Sequence, residues 1–241
     1  IASVAQAFGA SLDRQIENNL QGPGSVDERI ARVHALVETQ LKEAFLPAIA
    51  KMRSRSVIHK EFEGAGLRAS IAKLVDLPDG KKRLYIAHLG DARVYILRGS
   101  LLTQMTEDDT GLVLQLQAKF LTPEEYERVD QARAPEQLSR GHQQMFPLRH
   151  DVATVTARNY TRMIPDVDAY DVKPQDRLVI VNDGVQHNLT TRDIQNWVTT
   201  PLDDLEAEDA IQRVADDEVG RKSNRSTRAH AGDLAAVVYT I

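Results

Sequence analysis

Three aspartates stand at the ends of apolar segments whose composition is typical of buried β-strands. Asp91 follows the segment 83–89, Asp183 follows 177–181, and Asp233 precedes 234–239. Burying one carboxylate costs free energy, and burying several together costs more unless a cation compensates for their charge. Oxygen ligands of this kind are the ones that Mg²⁺ and Mn²⁺ prefer. A pair of such ions about 3.5–4 Å apart can activate water and hold a phosphate group for in-line attack.

A structural role is the alternative for each of these aspartates. An Asp side chain commonly accepts hydrogen bonds from nearby backbone N–H groups in a turn, and it needs no ligand to do so. The stretch 83–98 is predicted to be two apolar strands that meet at a tight turn, Gly90-Asp91, and such a turn by itself indicates only a hairpin. Spacing alone leaves both interpretations open, because it does not tell whether the three carboxylates lie close together.

Composition narrows the class of protein. The chain has 241 residues, of which 42% are hydrophobic, so it can bury a sizeable core in one or two domains. A net charge of -5 argues against a nucleic-acid binder. The absence of cysteine excludes disulfides, thiolate zinc sites and cysteine nucleophiles. No apolar run approaches about 18 residues and no signal-peptide pattern is present, so we expect a soluble, cytoplasmic protein without a membrane partner.

Helical periodicity dominates the first 50 residues. The first helix is predicted to end at the segment 21–24, and Ser25 and Glu28 form a capping box for the second. Pro47 is predicted to kink or stop that second helix. The chain begins with Ile1, inside the periodic pattern, and we expect a further segment upstream of it. The apolar positions are Ile1, Val4, Phe8, Leu12 and Ile16, then Ile30, Val33, Val37, Leu41 and Phe45.

Strand patterns follow from residue 69 onward. We predict strands at 69–77, 83–89, 92–97 and 101–105, then at 152–155, 167–172, 177–181 and 234–241. Short helices are predicted at 112–120, after Thr122 as N-cap, and at 191 and 205–214. Residues 131–149 are predicted to form a flap or loop, and 220–230 another loop. Short turns between the early strands favour an antiparallel meander, so the fold class is α+β.

Several segments resemble the metal-dependent protein phosphatases, the type 2C serine/threonine phosphatases, and occur in the family order. The segments are Leu89-Gly-Asp-Ala-Arg-Val-Tyr95, Leu102-Thr-Gln-Met-Thr-Glu-Asp-Asp-Thr110, Leu121-Thr-Pro-Glu-Glu125, Lys173-Pro-Gln-Asp-Arg-Leu-Val-Ile-Val-Asn-Asp-Gly-Val185 and Gly232-Asp-Leu-Ala-Ala-Val-Val-Tyr239. They resemble, in turn, the family's G-D-S-R segment, its L-x-x-L-T-x-D-H-S stretch, the helix after that stretch in bacterial members, the P-G-D-x-L-L-L-x-S-D-G-L strand and the closing D-N-x-T-V-x-V strand. The resemblance covers roughly residues 60–241, with 1–20 as the first helix.

The resemblance implies a fold, a cofactor and a reaction. The fold is a four-layer α-β-β-α sandwich of two mainly antiparallel sheets flanked by helices, formed by a single domain, 1–241, that lacks its first strands in this sequence. The cofactor is Mg²⁺ or Mn²⁺, as two or three ions. Asp183 and Asp233 match family metal ligands, and Asp91 matches the position near an additional, weaker metal. The reaction is hydrolysis of phosphoserine or phosphothreonine in a phosphorylated protein substrate by a metal-bound water.

Departures from the family pattern bear on activity. The D-G-H-G-G segment, whose Asp bridges both metals, is absent, so the catalytic residues are expected upstream of Ile1. Asn182 and Leu234 replace the usual Ser and Asn, and His187 stands where the family usually has an Asp behind the metal ligands. Arg68 replaces a small residue and is hard to bury unpaired. The first hypothesis is a metal-dependent serine/threonine phosphatase that functions in signalling. The alternative is a phosphatase-like regulatory or binding module that has lost turnover.

Overall fold

The computed structural model describes residues 2–58, 67–152, 164–221 and 233–241. The strands of this part of the chain are β1 (Ala69–Asp76), β2 (Lys82–Leu89), β3 (Arg93–Arg98), β4 (Leu101–Gln104), β5 (Asp166–Val172), β6 (Arg177–Val181) and β7 (Ala236–Thr240). The α-helices are α1 (Ala2–Gln21), α2 (Val26–Ile58), α3 (Gly111–Gln117), α4 (Pro123–Asp130), α5 (Arg140–Gln143), α6 (Asp183–Asn188), α7 (Thr191–Thr199) and α8 (Asp204–Arg221). None of these helices is both long and apolar enough to cross a membrane.

The strands form two stacked antiparallel sheets, with the orders β1-β2-β5 and β4-β3-β6-β7. Side chains alternate between the two faces of each strand, so β2 sends Leu84 and Ile86 between the sheets and sends Tyr85 and Ala87 toward α1 and α2. A separate apolar cluster joins the second sheet to α6, α7 and α8. The predicted four-layer α-β-β-α sandwich is therefore confirmed.

The paired helices α1 and α2 cover the outer face of the first sheet. The predicted capping box between them is present: Ser25 N–H donates to Glu28 Oε2 at 2.7 Å, and Glu28 N–H donates to Ser25 Oγ at 3.2 Å. Pro47 was predicted to kink or stop this helix, and the stop is wrong, because α2 continues to Ile58. Beyond the proline, Ile49 is buried in the same cluster as Val33, and this burial stabilises the continued helix.

The segment at Gly90 and Asp91 is a crossover between the sheets, so the predicted hairpin is wrong. β2 pairs with β1 and β5, whereas β3 pairs with β4 and β6. Both strands are buried on both faces. Their sequences would therefore show the same apolar pattern if the strands paired with each other as if they lay in two stacked sheets. The crossover places Asp91 where the two sheets meet.

The segment 131–149 is more ordered than the predicted flap or loop, because it contains α5 and two 3₁₀ turns, Pro135–Gln137 and Phe146–Arg149. The helices predicted before it are present as α3 and α4. The predicted N-cap of α4 is confirmed, because Thr122 Oγ1 accepts from the N–H of Glu125 at 3.2 Å. The helices and turns after β4 enclose an apolar cluster of their own. The hydrophobic periodicity of the sequence did not indicate this packing. The predicted strand 152–155 and loop 220–230 lie almost wholly outside the described residues.

Candidate functional site

Asp91 is fully buried at the crossover between the sheets. Its Oδ1 lies 2.7 Å from Nε of Arg68, and its Oδ2 lies 2.9 Å from Nε2 of His187 and 3.3 Å from Nε2 of Gln186. Burial raises the pKa of Asp91, and the neighbouring Arg68 guanidinium opposes that rise. The carboxylate is therefore held by one cation and two side chains of α6.

Arg68 joins two of the three aspartates predicted from the sequence. While its Nε contacts Asp91, its Nη1 lies 3.4 Å from Oδ2 of Asp183. The Arg68 side chain is one-third exposed, at 33%, and the Asp183 side chain is 26% exposed. The arginine that the sequence marked as hard to bury unpaired is thus paired, and its guanidinium occupies the space between two carboxylates.

A close backbone approach at Gly90 brings Arg68 to this position. Gly90 has φ +90°, and a Cβ at this residue would lie 2.7 Å from the carbonyl oxygen of Leu67 and 2.9 Å from Cα of Arg68. Asp109 fixes the same turn, because its Oδ2 accepts from the N–H of Gly90 at 2.7 Å and its own N–H donates to the Gly90 carbonyl at 2.8 Å. Only glycine combines this conformation with this proximity.

Asp183 begins a helix instead of lying in a turn. Asn182 is the N-cap of α6, and its Oδ1 accepts from the N–H groups of Val185 at 3.2 Å and Ala235 at 3.0 Å. The Asn182 Nδ2 donates to the carbonyl of Asp233 at 2.7 Å. The backbone of Asp233 therefore lies beside the start of α6, next to Asp183.

Gly184 makes this approach possible. A Cβ on Gly184 would lie 2.1 Å from the carbonyl oxygen of Asp233, so no larger residue fits without moving the chain. The absence of a side chain at Gly184 lets the segment before β7 pass against α6.

The donor set for a metal ion is incomplete in the described part of the chain. The structure brings Asp91 and Asp183 to one guanidinium and places the backbone of Asp233 next to Asp183. No group of three or more His, Asp or Glu side chains in residues 2–58, 67–152, 164–221 and 233–241 is arranged to hold a metal ion. A pair of divalent ions does not fit these side chains while Arg68 neutralises two of them. The assignment of Asp91, Asp183 and Asp233 as metal ligands stays a prediction.

The contact between His187 and Asp91 was only weakly indicated by the sequence. The indication was that His187 stands four residues after Asp183, and both residues lie on α6. His187 is 1% exposed, and besides contacting Asp91 it packs edge-on against the ring of His150, with centroids 3.9 Å apart. The segment after β4 therefore reaches the buried carboxylate through a pair of imidazoles.

Sequence reasoning missed a second buried charge cluster, two residues beyond Asp91. The Arg93 guanidinium donates to both oxygens of Asp108, the shortest contact being 2.6 Å, and to both oxygens of Asp130, the shortest being 2.7 Å. Burial raises the pKa of Asp108 to about 6, against the opposing charge of Arg93. Because every partner is buried, this cluster ties α4 and the segment after β4 to β3 of the second sheet.

Comparison with known proteins gives a match in fold. No protein-family model and no curated protein matches the sequence. Among solved structures, the serine/threonine phosphatase PstP/Ppp of Mycobacterium tuberculosis aligns with a TM-score of 0.56 and 19% identity over 98% of this chain and 80% of that chain. The serine/threonine phosphatase Stp1 of Staphylococcus aureus aligns with a TM-score of 0.60 and 16% identity over 88% of this chain and 68% of that chain.

A further structure, the catalytic domain of PstP in complex with two manganese ions, aligns with a TM-score of 0.50 and 19% identity over 98% of this chain and 79% of that chain. These neighbours confirm that the chain has the fold of the bacterial serine/threonine phosphatases, as the sequence resemblance implied. At such identities the likeness establishes the fold, and the chemistry has to be argued from the chain's own residues.

Proposed function

We propose that the chain is a phosphatase-like regulatory or binding module that recognises a phosphorylated protein without hydrolysing it. One observation supports this choice over an enzyme: the Arg68 guanidinium lies against Asp91 and Asp183, two of the three predicted metal ligands. A guanidinium stays charged at all accessible pH values and offers no coordination position for water. When bound, a divalent metal pair would supply an activated water and charge for the phosphate, and an arginine supplies only charge.

The phosphorylated partner follows from the kind of protein that shares the fold. The structural neighbours are serine/threonine phosphatases, whose fold is suited to a protein carrying phosphoserine or phosphothreonine. A module that keeps the fold can keep the surface that binds such a partner after the chemistry is lost. The inference rests on fold analogy, so it requires a binding measurement of its own.

A Mg²⁺- or Mn²⁺-dependent phosphatase is the second candidate. It is favoured by the backbone contact that places Asp233 beside Asp183, and by the neighbour that contains two manganese ions. For this chain to act in that way, Arg68 would have to leave the two carboxylates that it now contacts.

Metal-stimulated turnover separates the two candidates. The full-length protein is assayed with p-nitrophenyl phosphate and phosphothreonine peptides in Mn²⁺ and in EDTA, beside Asp183→Asn, Asp233→Asn and, as a matched control, Asp76→Asn at an exposed strand end. We expect no metal-stimulated hydrolysis from a cooperatively folded protein, and preferential binding of phosphorylated over unphosphorylated peptides. Hydrolysis that collapses in the Asp183 and Asp233 variants but not in the control would establish the enzyme instead.

A further inference from the structure

We propose that Arg68 is a built-in cation that takes the place of a divalent ion, and that removing it opens a metal site at Asp91 and Asp183. The inference rests on the proposed function, because it explains how the phosphatase fold keeps its acidic crossover without metal. It assigns to one arginine two effects that can be measured, namely stability in the absence of metal and exclusion of Mg²⁺ and Mn²⁺.

The need for a cation is set by the burial of Asp91. This carboxylate is fully buried, and an isolated buried charge is strongly disfavoured. His187 and Gln186 occupy Oδ2, whereas Oδ1 faces Arg68. Among the arginines and lysines of the described residues, Arg68 alone lies within ion-pair distance of the Asp91 carboxylate. Its removal would leave the Asp91 charge without its nearest compensation.

The surroundings of the guanidinium contain two carboxylates that a single hard cation could use together with water once Arg68 is removed. Oxygens from Asp91 and Asp183 contact the same group at 2.7 and 3.4 Å, from two different elements of the fold. Two carboxylates with several waters are a common environment for Mg²⁺ and Mn²⁺. Because the Arg68 side chain is one-third exposed, truncating it would open the space between the carboxylates to solvent and to ions.

Thermal unfolding of Arg68→Ala in EDTA and in Mn²⁺ or Mg²⁺ tests the proposal. We expect the unmodified protein to unfold at the same temperature in all three media. Arg68→Ala should unfold about 5–10 °C lower in EDTA, and millimolar Mn²⁺ should recover most of that loss by binding the folded state. Titration calorimetry with MnCl₂ should show a site in the variant and none in the unmodified protein.

Two controls separate a metal site from a general loss of stability. Arg83→Ala removes an ion pair to Asp171 within the sheet β1-β2-β5, with Nη2 and Oδ1 2.8 Å apart. Its unfolding temperature should fall only slightly and should not respond to Mn²⁺. The double variant Arg68→Ala/Asp91→Asn removes both the cation and the buried charge. It should fold in EDTA and should bind Mn²⁺ more weakly than Arg68→Ala.

Several outcomes would overturn the proposal. An Mn²⁺-dependent rise of equal size in the unmodified protein would show that Arg68 excludes nothing. Arg68→Ala that is unaffected by Mn²⁺, or unfolded in both media while the double variant folds, would show that no metal site is opened. These readouts do not involve turnover, so a hydrolytically active protein would refute the proposed module separately, and a silent Arg68→Ala would refute this inference alone.

Discussion

Nε2 of His187 lies 2.9 Å from Oδ2 of Asp91, and this contact joins the last turn of α6 to the crossover between the two sheets. Both residues are buried, at 1% and 0% exposure. Neither side chain can therefore replace this contact with a contact to water unless the fold opens. The same carboxylate is paired with Arg68 on its other oxygen. The crossover is thus held from both sides by side chains, and its backbone geometry becomes a sensitive point for stability.

Gly90→Ala is expected to destabilise the protein by at least about 3 kcal/mol, because it combines an unfavourable φ with a clash. Gly90 has φ +90°, and its Cβ would lie 2.7 Å from the Leu67 carbonyl oxygen. Gly80 is the matched control, since it has φ +80° but nothing within 4 Å of its Cβ. Gly80→Ala should cost only about 1–2 kcal/mol. Urea unfolding measures both, and equal losses would contradict the close approach.

Arg93→Met is expected to cost about 3–5 kcal/mol, because it leaves two buried carboxylates without their shared cation. The side chains of Arg93, Asp108 and Asp130 are 2%, 2% and 5% exposed. Lys42→Ala, which removes an exposed pair with Glu38 on α2, serves as the control and should cause no measurable loss. Chemical denaturation of the two variants gives the comparison, and similar midpoints would show that the cluster contributes little.

Most of the fold could be predicted because the sequence patterns that indicate it lie within short segments and follow one another in the family order. Helical periodicity at Leu12 and Ile16 indicates which face of α1 is buried, and the continuous apolar run 84–87 indicates a strand that is buried on both faces. The order of the short motifs then implied the four layers of the fold, which periodicity leaves open. The crossover at Gly90 could not be distinguished from a hairpin, because both need a short, sharply turned connection between apolar strands.

The contacts of the candidate site were less predictable because they join distant segments. The sequence identified Asp91 and Asp183 as strand-end carboxylates and identified Arg68 as a residue in need of a partner. It contained no signal that these three meet, since ion pairing depends on side-chain directions that follow from packing. The Arg93 cluster was missed for the same reason: Asp108 and Asp130 lie in polar stretches whose burial is decided by tertiary contacts.

Asn182→Ala is expected to destabilise the protein by about 2–3 kcal/mol, because it removes a helix cap and the link to the segment before β7. Asn182→Ser should lose less, about 1–2 kcal/mol, since Ser can still cap α6 but lacks the amide that donates to the Asp233 carbonyl. Asn196→Ala, on the exposed face of α7, is the control. Hydrogen exchange of β7 should rise in both Asn182 variants; unchanged exchange would mean that the link does not hold the strand.

Acid destabilisation of this fold is expected to depend on His88. Burial lowers the pKa of this 4% exposed imidazole to about 4, although the charge of Asp91 opposes the shift. The folded state therefore binds its proton less readily than the unfolded chain, whose His has a pKa near 6.5. This contribution to stability is complete above about pH 6.5 and is lost as the pH falls toward 4.

His88→Gln should remove that dependence, because Gln does not titrate. Between pH 8 and pH 5, the unmodified protein should lose about 2 kcal/mol more stability than the variant does. Asp108, whose pKa is raised to about 6 by burial, contributes the opposite slope, but it does so in both proteins and cancels in the difference. Urea unfolding at pH 8, 7, 6 and 5 measures the two slopes, with His34→Gln on the surface of α2 as the control. Parallel slopes for His88→Gln and the unmodified protein would mean that His88 can be protonated without opening the fold.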